Sequence, residues 1–125
     1  MLRKKVLIVD DDPNLIKALG WVLRKEGYEF DAAEDGEEAL AKVKETQPGV
    51  ILLDIMMPRK SGYQVCEEVK SSPAGDDISI VILSAKSQQA DREKGMACGA
   101  NEYITKPFSP QTIVNKVKEL LGEPA

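Results

Sequence analysis

One short stretch, 49–54, constrains the fold of this chain more than any other. Its centre, Val50-Ile51-Leu52-Leu53, is a run of branched or leucine side chains without polar alternation, which is typical of a strand buried on both faces. The run ends abruptly on Asp54, and Pro58, which has no backbone donor, prevents its continuation. Open α/β sheets place their ligand crevice at the carboxyl ends of inner parallel strands. Asp54 is therefore a candidate functional residue, although a strand terminator or a helix cap would use the same residue type.

Four other segments have strand-like patterns, and helical patterns separate them. The predicted strands, in chain order, are 5–9, 28–33, 50–54, 78–83 and 102–105. Helices are predicted after the capping signals at Asp12, Asp35, Ser61 and Ser109. Strands that alternate with helices over short connections predict one α/β domain, in which helices cover both faces of a parallel sheet.

The segment from about Gln88 to Cys98 has the weakest helical pattern. Its apolar contacts are predicted to come from Ala90, Met96 and Ala97 alone, and Gly95 lies within it. Since a glycine inside a helix costs about 1 kcal/mol relative to alanine, this helix is predicted to be the least stable one.

Composition excludes several classes of function. The chain has 125 residues, a net charge of −4 and a pI of about 4.9, which argues against direct binding of nucleic acid. It contains no apolar run long enough to span a bilayer, so we expect a cytoplasmic domain without membrane insertion. Histidine is absent, which excludes histidine bases, histidine metal ligands and a phosphohistidine on this chain. Cys66 and Cys98 lack metal-ligand spacing and are predicted to be free thiols in a reducing compartment.

Four of the predicted strands end at residues that suit one site. These residues are Asp10 with Asp11, Asp54, Ser84 and Lys106. The carboxyl ends of parallel strands share one edge of the sheet, so these side chains should converge. Three carboxylates and one ammonium would suit a Mg²⁺ ion that keeps several waters, and without metal at least one carboxyl pKa should rise.

Each of these residues also has a structural explanation. Asp12, beside the acidic pair, can be a helix cap, Ser84 can bond to backbone at a strand end, and Lys106 can form a surface ion pair. Such explanations are credible for single residues, but they do not explain why the whole set occurs at strand ends.

The motifs together resemble the receiver domain of two-component response regulators, and are similar to the single-domain chemotaxis type. The similarity extends from Val6 to Leu121 and rests on Val9-Asp10-Asp11-Asp12-Pro13, Leu53-Asp54-Ile55-Met56-Met57-Pro58, Gly62, Leu83-Ser84-Ala85 and Tyr103-Ile104-Thr105-Lys106-Pro107-Phe108. The resemblance implies a flavodoxin-like, doubly wound sheet of strand order 2-1-3-4-5. It also implies a receiver domain over residues 1–121, with 122–125 as a tail or the start of a linker.

The resemblance assigns a role to each site residue by position. Asp54 is implied to be the phosphoacceptor. It would share a Mg²⁺ ion with Asp11, which would bind the ion directly, with Asp10, which would bind it largely through water, and with the main-chain carbonyl of Met56. Lys106 is implied to contact the phosphoryl group, and the peptide bond between Lys106 and Pro107 is implied to be cis.

Ser84 and Tyr103 are implied to form a switch. The Ser84 hydroxyl would be drawn towards the phosphoryl group, and Tyr103 would then rotate from an exposed to a buried position. The surface of residues 88–121 would consequently change, and we expect a downstream effector or a dimer partner to bind there.

The function implied is phosphorelay signalling. A histidine kinase or a histidine phosphotransfer protein would donate the phosphoryl group, and the chain would catalyse only its own phosphorylation and dephosphorylation. A haloacid-dehalogenase-type phosphatase would need an acid where Met56 stands, a cobalamin domain would need a histidine, and a flavodoxin-type phosphate loop would not carry aspartates. The remaining alternative is a receiver-like binding module that signals without phosphorylation. Such modules usually lack an acid or the lysine, and this chain has them all.

Overall fold

The computed structural model describes residues 5–56, 60–73, 75–86 and 88–122. Over these residues, strands and helices alternate as the sequence predicts. The strands are β1 (Lys5–Val9), β2 (Glu29–Ala33), β3 (Val50–Asp54), β4 (Ser79–Ser84) and β5 (Glu102–Thr105). The helices are α1 (Pro13–Lys25), α2 (Gly36–Thr46), α3 (Gly62–Ser71), α4 (Gln89–Ala97) and α5 (Pro110–Leu120), with a 3₁₀ turn at Gly75–Asp77. Pro58 lies outside the described residues, as do residues 123–125 of the predicted tail.

The strands form one parallel sheet in the order β2-β1-β3-β4-β5. This order confirms the prediction of a doubly wound, flavodoxin-like fold. β3 is the central strand, and all of its residues are buried, as the unbroken apolar run indicated. Its last residue, Asp54, pairs in register with Leu83 of β4, while Ser84 pairs with Thr105 of β5.

Alternate residues of the central strand point into two separate cores. Ile51 and Leu53 pack with side chains from α2 and α3, whereas Val50 and Leu52 pack with side chains from α1 and α5. Burial of one such side chain stabilises the fold by about 1.5–3 kcal/mol, so β3 contributes to the packing of both helical layers. The sheet edge that carries Asp54 is therefore held on two sides.

Side-chain caps fix the first turns of α1, α2 and α3. The Asp12 carboxylate accepts a hydrogen bond of 2.9 Å from the backbone amide of Asn14, which confirms its predicted role as the cap of α1. Ser61 and Gln64 form the complete, reciprocal capping box predicted for α3. At α2, the Asp35 carboxylate accepts a bond of 2.9 Å from the Glu38 amide.

The predicted apolar contacts of α4 were wrong. Ala90, Met96 and Ala97 are all exposed, and Met96 retains 48% of its accessible surface. The helix instead packs through Gly95, where a Cβ atom would lie 2.9 Å from both Ile82 Cδ1 and Tyr103 Cδ2. A glycine in this helix thus has a packing reason. None of the described helices is both long and apolar enough to cross a membrane.

Candidate functional site

The carboxyl edge of the sheet brings three carboxylates together. Asp10 and Asp11 directly follow β1, Asp54 ends β3, and one carboxylate oxygen of each lies within 4.8 Å of the others. Asp10 and Asp54 are only 2% and 6% exposed, whereas Asp11 is exposed. The cluster therefore joins two buried acids to one that faces solvent.

Lys106 supplies positive charge from the far end of the chain. Its Nζ lies 3.1 Å from Asp10 Oδ2 and 3.8 Å from Asp54 Oδ1. The backbone amide of Lys106 donates a bond of 2.7 Å to the carbonyl oxygen of Ser84, which ties the end of β5 to the end of β4. The peptide bond between Lys106 and Pro107 is cis, as predicted.

The electrostatics of the cluster favour an added cation. Burial, followed by the negative charge of Asp10, raises the pKa of Asp54, and the Lys106 ammonium opposes this rise. The direction of this pKa shift agrees with the predicted increase, but burial contributes more to it than the repulsion between carboxylates from which the increase was predicted. Three carboxylates around one ammonium leave negative charge in a partly buried site, and clustered carboxylate oxygens are the donors that Mg²⁺ prefers.

Met56 adjoins the cluster through its backbone. Its amide donates to Asp54 Oδ1 over 3.4 Å, and this bond lowers the pKa of Asp54. The role of its carbonyl as a metal ligand stays a prediction.

Ser84 and Tyr103 are linked through one intervening residue. The Ser84 Oγ accepts a bond of 3.0 Å from the Lys86 amide, and the Tyr103 hydroxyl donates a bond of 2.9 Å to the Lys86 carbonyl. Tyr103 is 5% exposed, so the exposed starting position that we predicted is not the one in this structure. The ring is already inserted between β5 and α4, because Gly95 leaves space for it.

The structure gives Gly62 a definite mechanical role at the site. A Cβ atom at this position would overlap the carbonyl oxygen of Asp54 and lie 2.7 Å from Ile55 Cα. The Gly62 amide also donates a bond of 3.0 Å to the Ile55 carbonyl. Because only glycine permits this close approach, Gly62 allows the start of α3 to pack directly against the backbone segment that carries Asp54. The sequence marked Gly62 only as part of a motif.

The sheet order and the acidic carboxyl edge define a doubly wound α/β domain of the flavodoxin-like class. Within that class, residues 6–118 match the family model described as response regulator receiver domain, and the chain belongs to this family.

Relatives and solved structures agree with this assignment. The chain is 42% identical over 117 residues to the transcriptional regulatory protein ResD of Bacillus subtilis, a match that covers 94% of this chain and 48% of ResD. It therefore spans about half the length of the curated relatives that it matches.

Two solved structures show the same fold. The chemotaxis protein CheY4 of Vibrio cholerae has a TM-score of 0.88 at 30% identity, and the match covers 94% of this chain and 98% of CheY4. The receiver domain of the sensor histidine kinase PA1611 of Pseudomonas aeruginosa has a TM-score of 0.87 at 27% identity, with coverage of 97% and 99%. That structure has a magnesium ion coordinated in its active site cleft.

Membership of the family establishes the general role. Receiver domains of response regulators are signalling domains of two-component systems, and response regulators interact with histidine kinases and downstream effectors.

Proposed function

We propose that this chain accepts a phosphoryl group on a carboxylate oxygen of Asp54. The donor would be the phosphohistidine of a histidine kinase or a histidine phosphotransfer protein, because this chain has no histidine of its own. The observation that carries the proposal is the placement of Asp54 at the end of the central strand, next to Asp10 and Asp11 and 3.8 Å from the Lys106 ammonium.

The chemistry requires an ionised Asp54. One Asp54 oxygen attacks phosphorus in line, the bond between phosphorus and the imidazole nitrogen breaks, and its electron pair stays on the imidazole. Burial opposes ionisation by raising the pKa of Asp54, whereas Lys106 favours it. The Lys106 ammonium can also contact an oxygen of the transferring group. Attack of water on the resulting acyl phosphate would return the domain to its starting state.

The acidic cluster would hold Mg²⁺ in this proposal. Asp11, Asp54 and the main-chain carbonyl of Met56 would bind the ion directly, and Asp10 would bind it largely through water. When bound, the ion would supply positive charge against the phosphoryl oxygens. The magnesium ion in the PA1611 receiver domain supports this assignment.

The output of the domain would be a partner contact on the surface of residues 88–121. Ala90, Met96 and Ala97 support this part of the proposal, because they give α4 an exposed apolar face. A downstream effector or a second copy of the domain would bind there, without direct contact to nucleic acid. The proposed domain extends over residues 1–121, and 122–125 are a tail or the start of a linker.

Intact-mass measurement tests the proposal. The purified protein would be incubated with Mg²⁺ and a small phosphodonor such as acetyl phosphate, and we expect the mass to increase by one phosphoryl group. Asp54→Asn should abolish the increase. Asp12→Asn is a matched control, because asparagine keeps the cap of α1 and the same charge is removed nearby.

Equal labelling of the wild type and of Asp54→Asn would exclude Asp54 as the acceptor. An absence of labelling in the wild type, with both small donors and a phosphorylated kinase, would favour the alternative of a binding module that signals without phosphorylation.

A further inference from the structure

Arg92 connects α4 to the edge strand β5 through three contacts. Its Nη1 donates a bond of 3.2 Å to the carbonyl of Tyr103, and its Nη2 donates a bond of 3.0 Å to Thr105 Oγ1. Its guanidinium carbon also lies 5.2 Å from the centre of the Tyr103 ring, within the range of a cation–π interaction. The planar guanidinium can make the two hydrogen bonds at once, which a lysine ammonium at the same position would do less well.

The position of β5 makes these contacts important. β5 is a strand of four residues at the edge of the sheet, and among the described strands it pairs with β4 alone. An edge strand presents backbone groups that the sheet leaves unpaired. Arg92 donates to one such carbonyl, and it therefore restrains β5 from the side where no strand lies.

The same helix contacts Tyr103 a second time. Gly95 lies three residues after Arg92, so both are on one face of α4. A Cβ atom at position 95 would lie 2.9 Å from Tyr103 Cδ2, which shows how closely the ring approaches the helix backbone. Arg92 and Gly95 thus form the part of α4 against which the buried Tyr103 ring packs.

Hydrogen bonds connect Tyr103 to the candidate site. The Tyr103 hydroxyl donates to the Lys86 carbonyl, and the Lys86 amide donates to Ser84 Oγ. Thr105, the other partner of Arg92, is opposite Ser84 in the sheet and precedes Lys106. Arg92 is therefore connected both to Ser84 and to the end of β5, which leads into Lys106.

We propose that Arg92 is a positioning residue that holds Tyr103 in its buried orientation and thereby couples the phosphoryl site to the outer face of α4. The coupling rests on the proposed function, whereas the positioning of Tyr103 does not. A side chain that stabilises the buried orientation shifts the population towards it. If a phosphoryl group at Asp54 favours the buried orientation of Tyr103 through Ser84, loss of Arg92 lowers the population of that orientation. The affinity of the site for a phosphoryl mimic then falls by the same factor.

Nuclear Overhauser effects (NOEs) test the positioning directly. We would measure them between the Tyr103 ring protons and the Gly95 α-protons in the wild type, Arg92→Met, Arg92→Lys and Lys94→Met. Lys94 is a matched control, since it is a cation on the same helix but lies over the ring of Tyr63, 4.4 Å from its centre.

The NOEs should be strong in the wild type and in Lys94→Met, weak in Arg92→Met and intermediate in Arg92→Lys. Urea unfolding would confirm that each variant is folded, and Arg92→Lys provides the comparison if Arg92→Met is not. Unchanged effects in the folded Arg92 variants would overturn the proposal.

Titration with beryllofluoride in the presence of Mg²⁺ tests the coupling, because this anion mimics an aspartyl phosphate. We expect the wild type and Lys94→Met to bind equally, and Arg92→Met to bind roughly three- to tenfold more weakly, with partial recovery in Arg92→Lys. Equal affinity in all four proteins would overturn the coupling. A wild type that does not bind beryllofluoride, while the NOEs still depend on Arg92, would contradict the proposed function and support the positioning role.

Discussion

Lys106 Nζ lies closer to Asp10 than to Asp54, at 3.1 Å from the nearest carboxylate oxygen of Asp10 and 3.8 Å from that of Asp54. Asp10 is almost fully buried, and its partner is 96 residues away in the sequence. The ammonium is therefore shared between Asp10, which we propose binds metal, and Asp54, the proposed phosphoacceptor. Contact with a phosphoryl oxygen would have to compete with the ion pair to Asp10.

Removal of this ammonium should affect metal binding and phosphorylation in opposite directions. In Lys106→Met, the three carboxylates lose their nearby positive charge, so Mg²⁺ should bind at least as tightly as in the wild type, and roughly threefold more tightly at low salt. Phosphorylation by acetyl phosphate should be slower by about a hundredfold, because a donor to the transferring oxygens is lost. Calorimetric Mg²⁺ titration and intact-mass time courses measure the two effects.

Lys116→Met is a suitable control for Lys106→Met. Lys116 forms ion pairs with Glu102 and Glu119, neither of which belongs to the acidic cluster of Asp10, Asp11 and Asp54. Weaker Mg²⁺ binding in Lys106→Met than in Lys116→Met would show that the lysine organises the carboxylates more than it neutralises them.

Asp11 and Asp12 should separate into a metal ligand and a helix cap. Asp11→Ala should weaken Mg²⁺ binding by about tenfold or more. Loss of a residue that only orients a metal ligand already lowers metal affinity by about that factor, and removal of the ligand itself should lower it at least as much. Asp12→Ala should instead lower the free energy of unfolding by about 1 kcal/mol, because α1 loses the cap on the Asn14 amide. Metal titration and urea unfolding of both variants test this division. The reverse pattern would shift the metal assignment by one residue.

The central sheet was predictable because burial on both faces leaves a direct trace in the sequence. The run from Val50 to Leu53 has no polar residue, and the structure buries all of it. The convergence of Asp10, Asp54 and Lys106 followed from parallel topology alone, since strand ends in such a sheet share an edge.

The orientation of Tyr103 was not predictable in the same way. It depends on Gly95 and Arg92, which lie on another element and contact the ring only after α4 has packed on β5. Hydrophobic periodicity also failed for α4, because a glycine makes its closest contact with the sheet and the apolar side chains face outward. Close backbone approach leaves no apolar signal in a sequence.

Gly62 should be as sensitive to substitution as a site residue, although it carries no chemistry. A methyl group in Gly62→Ala would meet the backbone of Asp54 and Ile55, which cannot move aside as a flexible side chain could. We expect a loss of about 1–3 kcal/mol in the free energy of unfolding and slower phosphorylation, because the Asp54 segment must shift. Urea unfolding and mass-spectrometric time courses provide the measurements.

Gly27→Asn is the control for Gly62→Ala. Gly27 has φ +89°, and within the described part of the chain a Cβ atom there would have no heavy atom within 4 Å other than those of Gly27 and its two chain neighbours. Asparagine tolerates this backbone region better than most residues. It should leave phosphorylation unchanged. A Gly62→Ala variant that matches Gly27→Asn in rate would show that the contact with Asp54 has no functional consequence.

Cys66 should give the protein an alkaline limit to its stability. Its side chain is fully buried, and its Sγ donates to the Cys98 carbonyl over 3.4 Å. Burial, followed by the nearby Cys98 thiol, raises the pKa of Cys66 from 9.0 to about 12, while Lys70 opposes the shift. The folded protein thus keeps the thiol protonated where the unfolded chain has lost the proton.

The sign of the effect follows from proton linkage. Below pH 9 the thiol is protonated in both states and has no effect on the pH dependence, but between about pH 9 and 12 the unfolded chain binds fewer protons. The free energy of unfolding should therefore fall as pH rises through this range, by up to about 1.4 kcal/mol per pH unit from this group.

Urea unfolding of the wild type and of Cys66→Ala from pH 8 upward isolates the contribution, since the other alkaline groups are common to both proteins. Cys66→Ala should start less stable because of its cavity and then lose less stability with rising pH, so the two curves should converge. Curves that stay parallel would show that Cys66 ionises equally well in the folded and unfolded states.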